Sequence, residues 1–313
     1  MHLVKKTFIT LSFILIACFA NADGIDCKNF GKLSFFESAS SGDIEGCLQT
    51  ASKQQLLGNF TNGNNAPMNA VAAEVNMVTL SKILSYYTED ELSEIFKHRN
   101  FDELSIVHLA SIASNGSRLL IELGSWSASD FNVLKDKKDG SFIASDRGIS
   151  ALHYALSEKP IFENIMALLA MGANPFIQDK KGNIALNYAI SNNLDYDTLA
   201  MLLTFTDEIV ENDKGYNALH FAVQKISNDI SLSLIFAMLE EKYHDDVTEN
   251  DETVLHLAAA SARTPELFDV ALQYSSGFLC EVDAKGAKAI DYARRNPKIA
   301  KSKQILALQN ECD

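Results

Sequence analysis

The chain has 313 residues, of which 47% are hydrophobic and 22% charged, a composition that suffices for a large folded core. Its formal net charge is −14 at pH 7. A field of that sign repels phosphate backbones, which argues against nucleic acid as a partner. The same charge steers a basic protein partner towards the chain or, in the alternative interpretation, only keeps the protein soluble.

The first residues form a segment of their own. Lys5 and Lys6 precede an apolar stretch from Phe8 to Ala20, and the small residue Ala22 follows at a cleavage spacing. This pattern predicts a signal peptide over residues 1–22, cleaved after Ala22, and hence a periplasmic or secreted protein. The alternative is lipoprotein anchoring at Cys18. No later stretch is long and apolar enough to predict a transmembrane segment in the mature chain.

Four cysteines remain after the predicted cleavage, two near each end of the chain. An even number in an exported protein favours disulfides, and the placement predicts that neighbours pair, Cys27 with Cys47 and Cys280 with Cys312. Four cysteines allow three pairings, and four buried thiols are the alternative.

A short sequence pattern of small, apolar and polar residues, which we call the phrase, recurs along the chain. Its first copies match the pattern only weakly. Residues of about 33–60 resemble a capping repeat of two helices, with Gly42 and Asp43 in the turn between them. Residues 50–65 are predicted as a loop. Looser copies at Ala66 and Ser105 predict two further helix pairs.

One segment breaks the rhythm of the repeats. Residues from Phe131 to Ser145 contain two β-prone runs around a charged turn with Asp139 and Gly140, which predicts an elongated hairpin. Trp126 is the only tryptophan and lies close by. Insertions in repeat arrays often map to the binding face, whereas harmless variation in loop length is the alternative.

The phrase is clearest at about 145–300, where it recurs at intervals of 33 to 36 residues. Each copy has a turn residue, a small or polar residue, a leucine or isoleucine, a polar residue and an alanine. The polar residue of the successive copies is His153, Asn187, His220, His256 and Asp291. A period of this size predicts stacked modules that cannot bury their apolar faces alone.

The phrase resembles the Gly-x-Thr-Pro-Leu-His-x-Ala signature of ankyrin repeats. That resemblance implies an all-α repeat solenoid, an ankyrin-like stack of about eight helix-turn-helix modules with short β-hairpin turns, forming a single domain over residues 23–313. It also implies protein recognition through the concave surface. The corresponding tip residues are Asp146, Arg147, Ile149, Lys180, Lys181, Asn183, Asp213, Lys214, Tyr216, Glu249, Asn250 and Glu252. Tyr216 is the predicted anchor because aromatic side chains dominate binding hot spots.

The recurring histidines are predicted to be structural. Stacked helices lie roughly 8 to 10 Å apart, whereas the nitrogen ligands of one zinc ion lie within about 2.1 Å of it. Histidines at one phase of successive repeats therefore cannot converge on a metal. The sequence contains no phosphate loop, dinucleotide fingerprint or His-Glu-x-x-His motif, and we predict no cofactor and no enzyme.

These observations favour a monomeric, non-catalytic module of the cell envelope that binds and restrains or supports another exported protein. Two alternatives within the same class are a secreted effector of a host protein and an immunity protein against a toxin. A different class is an enzyme with a site near Trp126 to Ser145. It rests only on the unexplained length of that segment.

Overall fold

The computed structural model describes residues 26–126, 148–205, 210–243 and 246–312, with the side chains of 240–243, 276, 307 and 310–312 left aside. The predicted signal peptide, Cys18, the elongated hairpin at 131–145 and the tip residues Asp146 and Arg147 lie outside these residues. The chain forms two compact units, which meet in sequence between Phe101 and Asp102. None of the helices described could span a membrane.

The amino-terminal unit contains two helix pairs and two additional helices. Its helices are α1 (Leu33–Ser38), α2 (Ser41–Leu48), α3 (Lys53–Leu57), α4 (Ala66–Ala72), α5 (Met77–Leu84) and α6 (Glu89–Lys97). The predicted capping pair is α1 and α2, but the turn between the two helices lies before Gly42 and Asp43, where it was predicted. Ser40 caps α2 by accepting from the backbone N–H of Asp43, so Gly42 and Asp43 belong to the first turn of that helix.

Helix α3 lies within residues 50–65, which were predicted as a loop, and helix α6 lies in a segment for which no element was predicted. Both begin with a capping box, Ser52 with Gln55 and Thr88 with Glu91. An ion pair joins Lys53 to Glu91. The two helices are thus short, locally capped additions between the predicted pairs.

The first predicted disulfide is confirmed. Cys27 and Cys47 are bonded, with their Cα atoms 5.2 Å apart, and the bond ties a short 3-10 helix, Cys27–Asn29, to α2. Cys280 is also disulfide-bonded. The side chain of Cys312, its predicted partner, lies outside the described part of the structure.

The carboxy-terminal unit contains six successive helix pairs. Their helices are α7 (Ile106–Ile112), α8 (Gly116–Trp126), α9 (Ala151–Glu158), α10 (Phe162–Ala170), α11 (Ala185–Ser191), α12 (Tyr196–Thr204), α13 (Ala218–Lys225), α14 (Asp229–Tyr243), α15 (Val254–Ser261), α16 (Pro265–Tyr274), α17 (Ala289–Arg295) and α18 (Lys303–Cys312). With the two pairs of the other unit, the described residues hold eight pairs, which confirms the predicted number of modules.

The first helices of the pairs contact one another in succession from α7 to α17. Small residues allow this close approach, because Ala155, Ala189, Ala222 and Ala258 are each buried to 98% or more at the same phase of their helices. The second helices contribute leucine and isoleucine stripes to the core, such as Ile165 and Leu168 of α10. Each module therefore buries its apolar side against its neighbours along the row.

In four modules, a tight turn that contains glycine precedes the first helix. Gly148, Gly182, Gly215 and Gly286 all have φ between +69° and +77°, a region that side chains with a Cβ atom avoid. The glycines of the sequence phrase are thus explained by backbone geometry. Each turn places a short tip beside the start of its helix, and these tips form one side of the candidate site.

Candidate partner-binding groove

In four successive hairpin tips, one side chain accepts hydrogen bonds from two backbone N–H groups of the same tip. Oδ1 of Asp179 accepts from Lys181 and Asn183, both at 2.8 Å. The equivalent acceptors in the next three modules are Asn212, Thr248 and Asp283. These four acceptors were not predicted from the sequence, although they recur at the same intervals as the polar residues of the phrase.

Backbone hydrogen bonds join each tip to the next one. The N–H of Asp213 donates to the carbonyl of Lys181 at 3.0 Å, and the N–H of Ala284 donates to Asn250 at 2.9 Å. Extended strands are absent from the described residues, where isolated bridges such as Val247 to Thr253 occur instead. The predicted hairpin turns are therefore short, and they form a linked edge along the row of first helices.

The recurring histidines lie inside the stack and bind backbone groups. Nδ1 of His153 accepts from the N–H of Ser150 at 3.2 Å, so the neutral ring carries its proton on Nε2. Nε2 of His256 then lies 3.0 Å from the carbonyl of Ala287 in the following module. Nε2 of His108 lies 3.3 Å from the carbonyl of Ile149 in the same relation. These rings join neighbouring modules, as the structural interpretation predicted.

Burial lowers the pKa of His153 to about 4, opposed by the charge of Asp179 and by the carbonyl of Asn183. Burial likewise lowers the pKa of His220 to about 4, opposed by the carbonyl of Asp246. The two carbonyl groups partly oppose the lowering of the pKa values. Neither Nε2 atom, however, forms a hydrogen bond of normal geometry within the described residues. Both imidazoles are therefore neutral over the physiological pH range.

Asn187 occupies the histidine position in one module, and its smaller side chain leaves unfilled space there. Its Oδ1 accepts from the N–H of Ile184 at 2.9 Å, but its buried Nδ2 has no partner among the described residues. Three of the histidine rings pack on an aromatic ring of the next module, His108 on Tyr154, His256 on Tyr292 and His153 on Tyr188, the last at 4.8 Å. The equivalent ring here is Phe221, and Phe221 and Asn187 both line a cavity of about 270 Å³.

Replacing Asn187 with histidine should stabilise the protein. In Asn187→His the ring packs on Phe221, and its Nε2 can reach the carbonyl of Tyr216, the counterpart of the Ala287 carbonyl. We expect a gain of about 1 kcal/mol in the free energy of unfolding, the usual net value of one buried hydrogen bond. Urea unfolding at neutral pH measures it.

Asn69→His is the matched control for this prediction. The Nδ2 group of Asn69 already donates to the carbonyl of Gly31 at 2.9 Å, and its Oδ1 accepts from Asn62 and Asn64. Histidine at this position should therefore destabilise the protein. A loss of stability in both variants would contradict the interpretation of Asn187 as an incompletely bonded amide.

A second cavity, of about 480 Å³, adjoins the first along the same side of the modules. Its lining combines hairpin tips with the ends of α13, namely Lys181, Asn183, Asn212, Asp213, Lys214, Tyr216, Phe221, Gln224 and Lys225. Asn183 and Phe221 line both cavities. We call the two together the central groove. Five predicted tip residues meet in it, namely Lys181, Asn183, Asp213, Lys214 and Tyr216.

The other predicted site residues lie elsewhere. Lys180 is exposed beside the groove, whereas Glu249 and Asn250 are exposed and Glu252 half-buried on the following hairpin. Ile149 is half-buried, and its carbonyl faces His108. Trp126 is half-buried and donates to Oε1 of Glu122 at 2.7 Å. None of these residues lines either cavity of the groove.

Tyr216 differs from the exposed anchor that the sequence predicted. Its side chain is half-buried, and its ring meets those of His220 and Phe221 edge-on, at centroid distances of 5.7 and 5.9 Å. Tyr216 is thus part of the wall of the groove. Phe221, Gln224 and Lys225 come from the first helix, and the tip pattern alone gave no reason to select them.

The amino-terminal unit has a cleft of its own, of about 380 Å³. Asp90, Glu91 and Glu94 of α6 line it together with His98 and apolar residues of both added helices. Nε2 of His98 lies 2.6 Å from the carbonyl of Gly63. Within the described residues, no three His, Cys, Asp or Glu side chains are arranged to hold a metal ion.

Comparison with known proteins identifies the repeats. Residues 152–244 match the family described as ankyrin repeats (3 copies), whereas no curated protein sequence matches the chain. The ankyrin repeat domain of Bcl-3, a member of the IkappaB protein family, superposes with a TM-score of 0.60 at 18% identity, over 80% of this chain and 99% of that one.

A chain from the complex of the Bdellovibrio bacteriovorus predatory endopeptidase Bd0816 with the immunity protein Bd3460 matches with a TM-score of 0.48 at 20% identity. It covers 66% of this chain and 97% of its own length. At such low identities, structural likeness informs the fold alone. The matched repeats, the positive-φ glycines and the buried histidines agree, and the protein is an ankyrin-repeat protein.

Proposed function

We propose that this protein is a non-catalytic module of the cell envelope that binds another exported protein through the central groove and restrains or supports it. Ankyrin repeats are protein-interaction modules, which accounts for the general class. The place of action rests on the signal peptide predicted for residues 1–22. The partner and the direction of its regulation are part of the proposal.

The observation that carries the proposal is the convergence of side chains in the groove. Two hairpin tips and three successive first helices contribute to it, and its lining offers the aromatic rings of Tyr216 and Phe221 beside amide and ammonium groups. Buried aromatic anchors surrounded by polar groups are the usual composition of binding hot spots. A surface built from several modules also suits an extended partner better than a small substrate.

Site-specific photo-crosslinking in the organism that encodes the protein tests the proposal. A photoreactive amino acid at Gln224, in the groove, should give a discrete crosslinked species containing a second exported protein. The same amino acid at Asp197, exposed on α12 of a neighbouring module, is the matched control and should not give that species. Absence of any protein adduct at Gln224, or equal adducts at both positions, would refute the proposal.

The identity of the crosslinked protein separates the finer alternatives. A toxin of the same organism would indicate immunity, a host protein would indicate a secreted effector, and a resident envelope protein would indicate restraint or support.

A further inference from the structure

We infer that the central groove selects an acidic, extended segment of its partner, on the order of six residues long. This inference rests on the proposed function, because it specifies the partner of the same groove. The three first helices that line the groove are separated by two steps, which span roughly 20 Å, and an extended chain advances about 3.3 Å per residue.

Lysine side chains line the groove. Lys181, Lys214 and Lys225 all contribute to its lining, and Asp213 is the one acidic residue that lines it within the described part of the chain. Among the described residues, none of the three lysines forms an ion pair. Lys180 is exposed on the same tip as Lys181. Ammonium groups without a carboxylate partner are open to carboxylates from a bound chain.

The far end of the groove adds a further positive charge. Lys225 is the last residue of α13, and Nη1 of Arg263 donates to its carbonyl at 3.2 Å. This hydrogen bond holds an exposed guanidinium group beside the lysine. Positive charge therefore extends from the tips at Lys181 and Lys214 to the carboxyl ends of the first helices.

Neutral groups in the groove suit an extended main chain. The amide of Gln224 has no intramolecular partner among the described residues and can bind a peptide group. The rings of Tyr216 and Phe221 provide an apolar surface between the cations. In contrast, the amide of Asn183 is already occupied, since it donates to Asp179 and accepts from Asn212.

The following hairpin limits the positive region. It carries Glu249, Asp251 and Glu252, and the N–H of Glu249 lies 3.4 Å from the carbonyl of Lys214. A long acidic chain would meet these carboxylates, which restricts the acidic stretch to the span of the groove. The net charge of −14 predicted a basic partner, but the groove carries the opposite local charge, which determines the close contacts.

Two matched peptides test this inference on the purified mature protein. Each has about twelve residues, with one phenylalanine and a fluorescent label among glycine and serine. One peptide carries glutamate at alternate positions of its central six or so residues, the span of the groove, and the other carries lysine there. Fluorescence anisotropy should show binding of the glutamate peptide at least tenfold tighter than that of the lysine peptide. The affinity should weaken as NaCl rises from about 50 to about 300 mM.

Two triple variants locate the effect. Lys181→Glu/Lys214→Glu/Lys225→Glu should lower the affinity for the glutamate peptide at least tenfold. Lys298→Glu/Lys301→Glu/Lys303→Glu changes the net charge equally at exposed positions of the last module, and it should retain most of the affinity. Circular dichroism verifies that both variants fold.

The outcomes separate this inference from the proposed function. Equal losses in the two triple variants, a preference for the lysine peptide, or no binding of the glutamate peptide would overturn the acidic specificity. The crosslink from Gln224 would still stand in that case and would keep the protein-binding function. Loss of that crosslink would instead remove both.

Discussion

Gly182→Ala should lower the free energy of unfolding by about 3 kcal/mol. Gly182 has φ +77°, and the left-handed conformation costs a residue with a Cβ about 1 kcal/mol. A Cβ atom there would also lie 2.7 Å from Cα of Asn212 and 2.8 Å from the N atom of Asp213. Because both are backbone atoms of the next hairpin, the contact is relieved only by separating the two tips, at a further cost of about 2 kcal/mol.

Gly286→Ala is the matched control. Its φ of +76° is almost the same, but within the described residues no atom beyond its two chain neighbours lies within 4 Å of the Cβ position. Only the conformational cost of about 1 kcal/mol applies. Urea unfolding followed by far-UV circular dichroism measures both variants. Equal losses would mean that the close packing of successive tips contributes nothing to the free energy of unfolding.

The repeats were predictable from sequence because their stabilising interactions are local. Each first helix of the carboxy-terminal unit follows a residue at positive φ, which is glycine in four modules and Glu103 or Asp251 in the other two, and a polar residue recurs at one phase of the helix, so the chemistry recurs in the sequence. Gly182 and His153 illustrate this, since their neighbours in the phrase already specify a turn and a capped helix. The number of pairs and the structural role of the histidines followed from that recurrence.

Helices α3 and α6 escaped prediction because they belong to no repeat. They are five and nine residues long, too short for an apolar period to be distinctive. Their capping boxes were nevertheless visible in the sequence, as Ser52 with Gln55 and Thr88 with Glu91. The Gly42 error has the same origin: the glycine suggested a turn, although Ser40 and Asp43 formed a helix start.

Only some of the residues that line the groove could be predicted from the sequence, for a geometric reason. Hairpin tips are consecutive in sequence, so Lys181, Asp213 and Lys214 could be selected by phase alone. Gln224 and Lys225 reach the same cavity from the far end of a helix, which depends on how neighbouring modules stack. The half-buried state of Tyr216 likewise depends on its ring turning back onto α13, a contact that spacing does not reveal.

Acidification from pH 7 to pH 5 should destabilise the protein through His153 and His220. Their pKa of about 4 in the fold lies below the value of about 6.5 in an unfolded chain. The unfolded state therefore binds more protons as the pH falls, and stability present above about pH 6.5 is lost progressively down to about pH 4. At pH 5 each histidine should lower the free energy of unfolding by on the order of 2 kcal/mol relative to pH 7.

The double variant His153→Asn/His220→Asn isolates this effect. Asparagine occupies the same phase naturally at Asn187, where its Oδ1 accepts the backbone N–H that Nδ1 accepts elsewhere. The variant should be less stable than the wild type at pH 7 but should lose about 4 kcal/mol less between pH 7 and pH 5. Urea unfolding at the two pH values measures the difference.

Carboxylates do not produce the same signal in this interval. The folded protein holds the pKa of Asp179 and Asp283 below its usual range through hydrogen bonds, from the backbone N–H of Asn183 and from the hydroxyl of Tyr292 respectively, and against the opposing effect of burial. Their contribution is present above the unfolded-state pKa of about 3.9 and is lost as the pH falls from there through the lowered values, below the interval tested. A wild type and a double variant with parallel pH dependence would therefore show that the two imidazoles take up protons without unfolding, and that the modules are less tightly closed around them than the structure indicates.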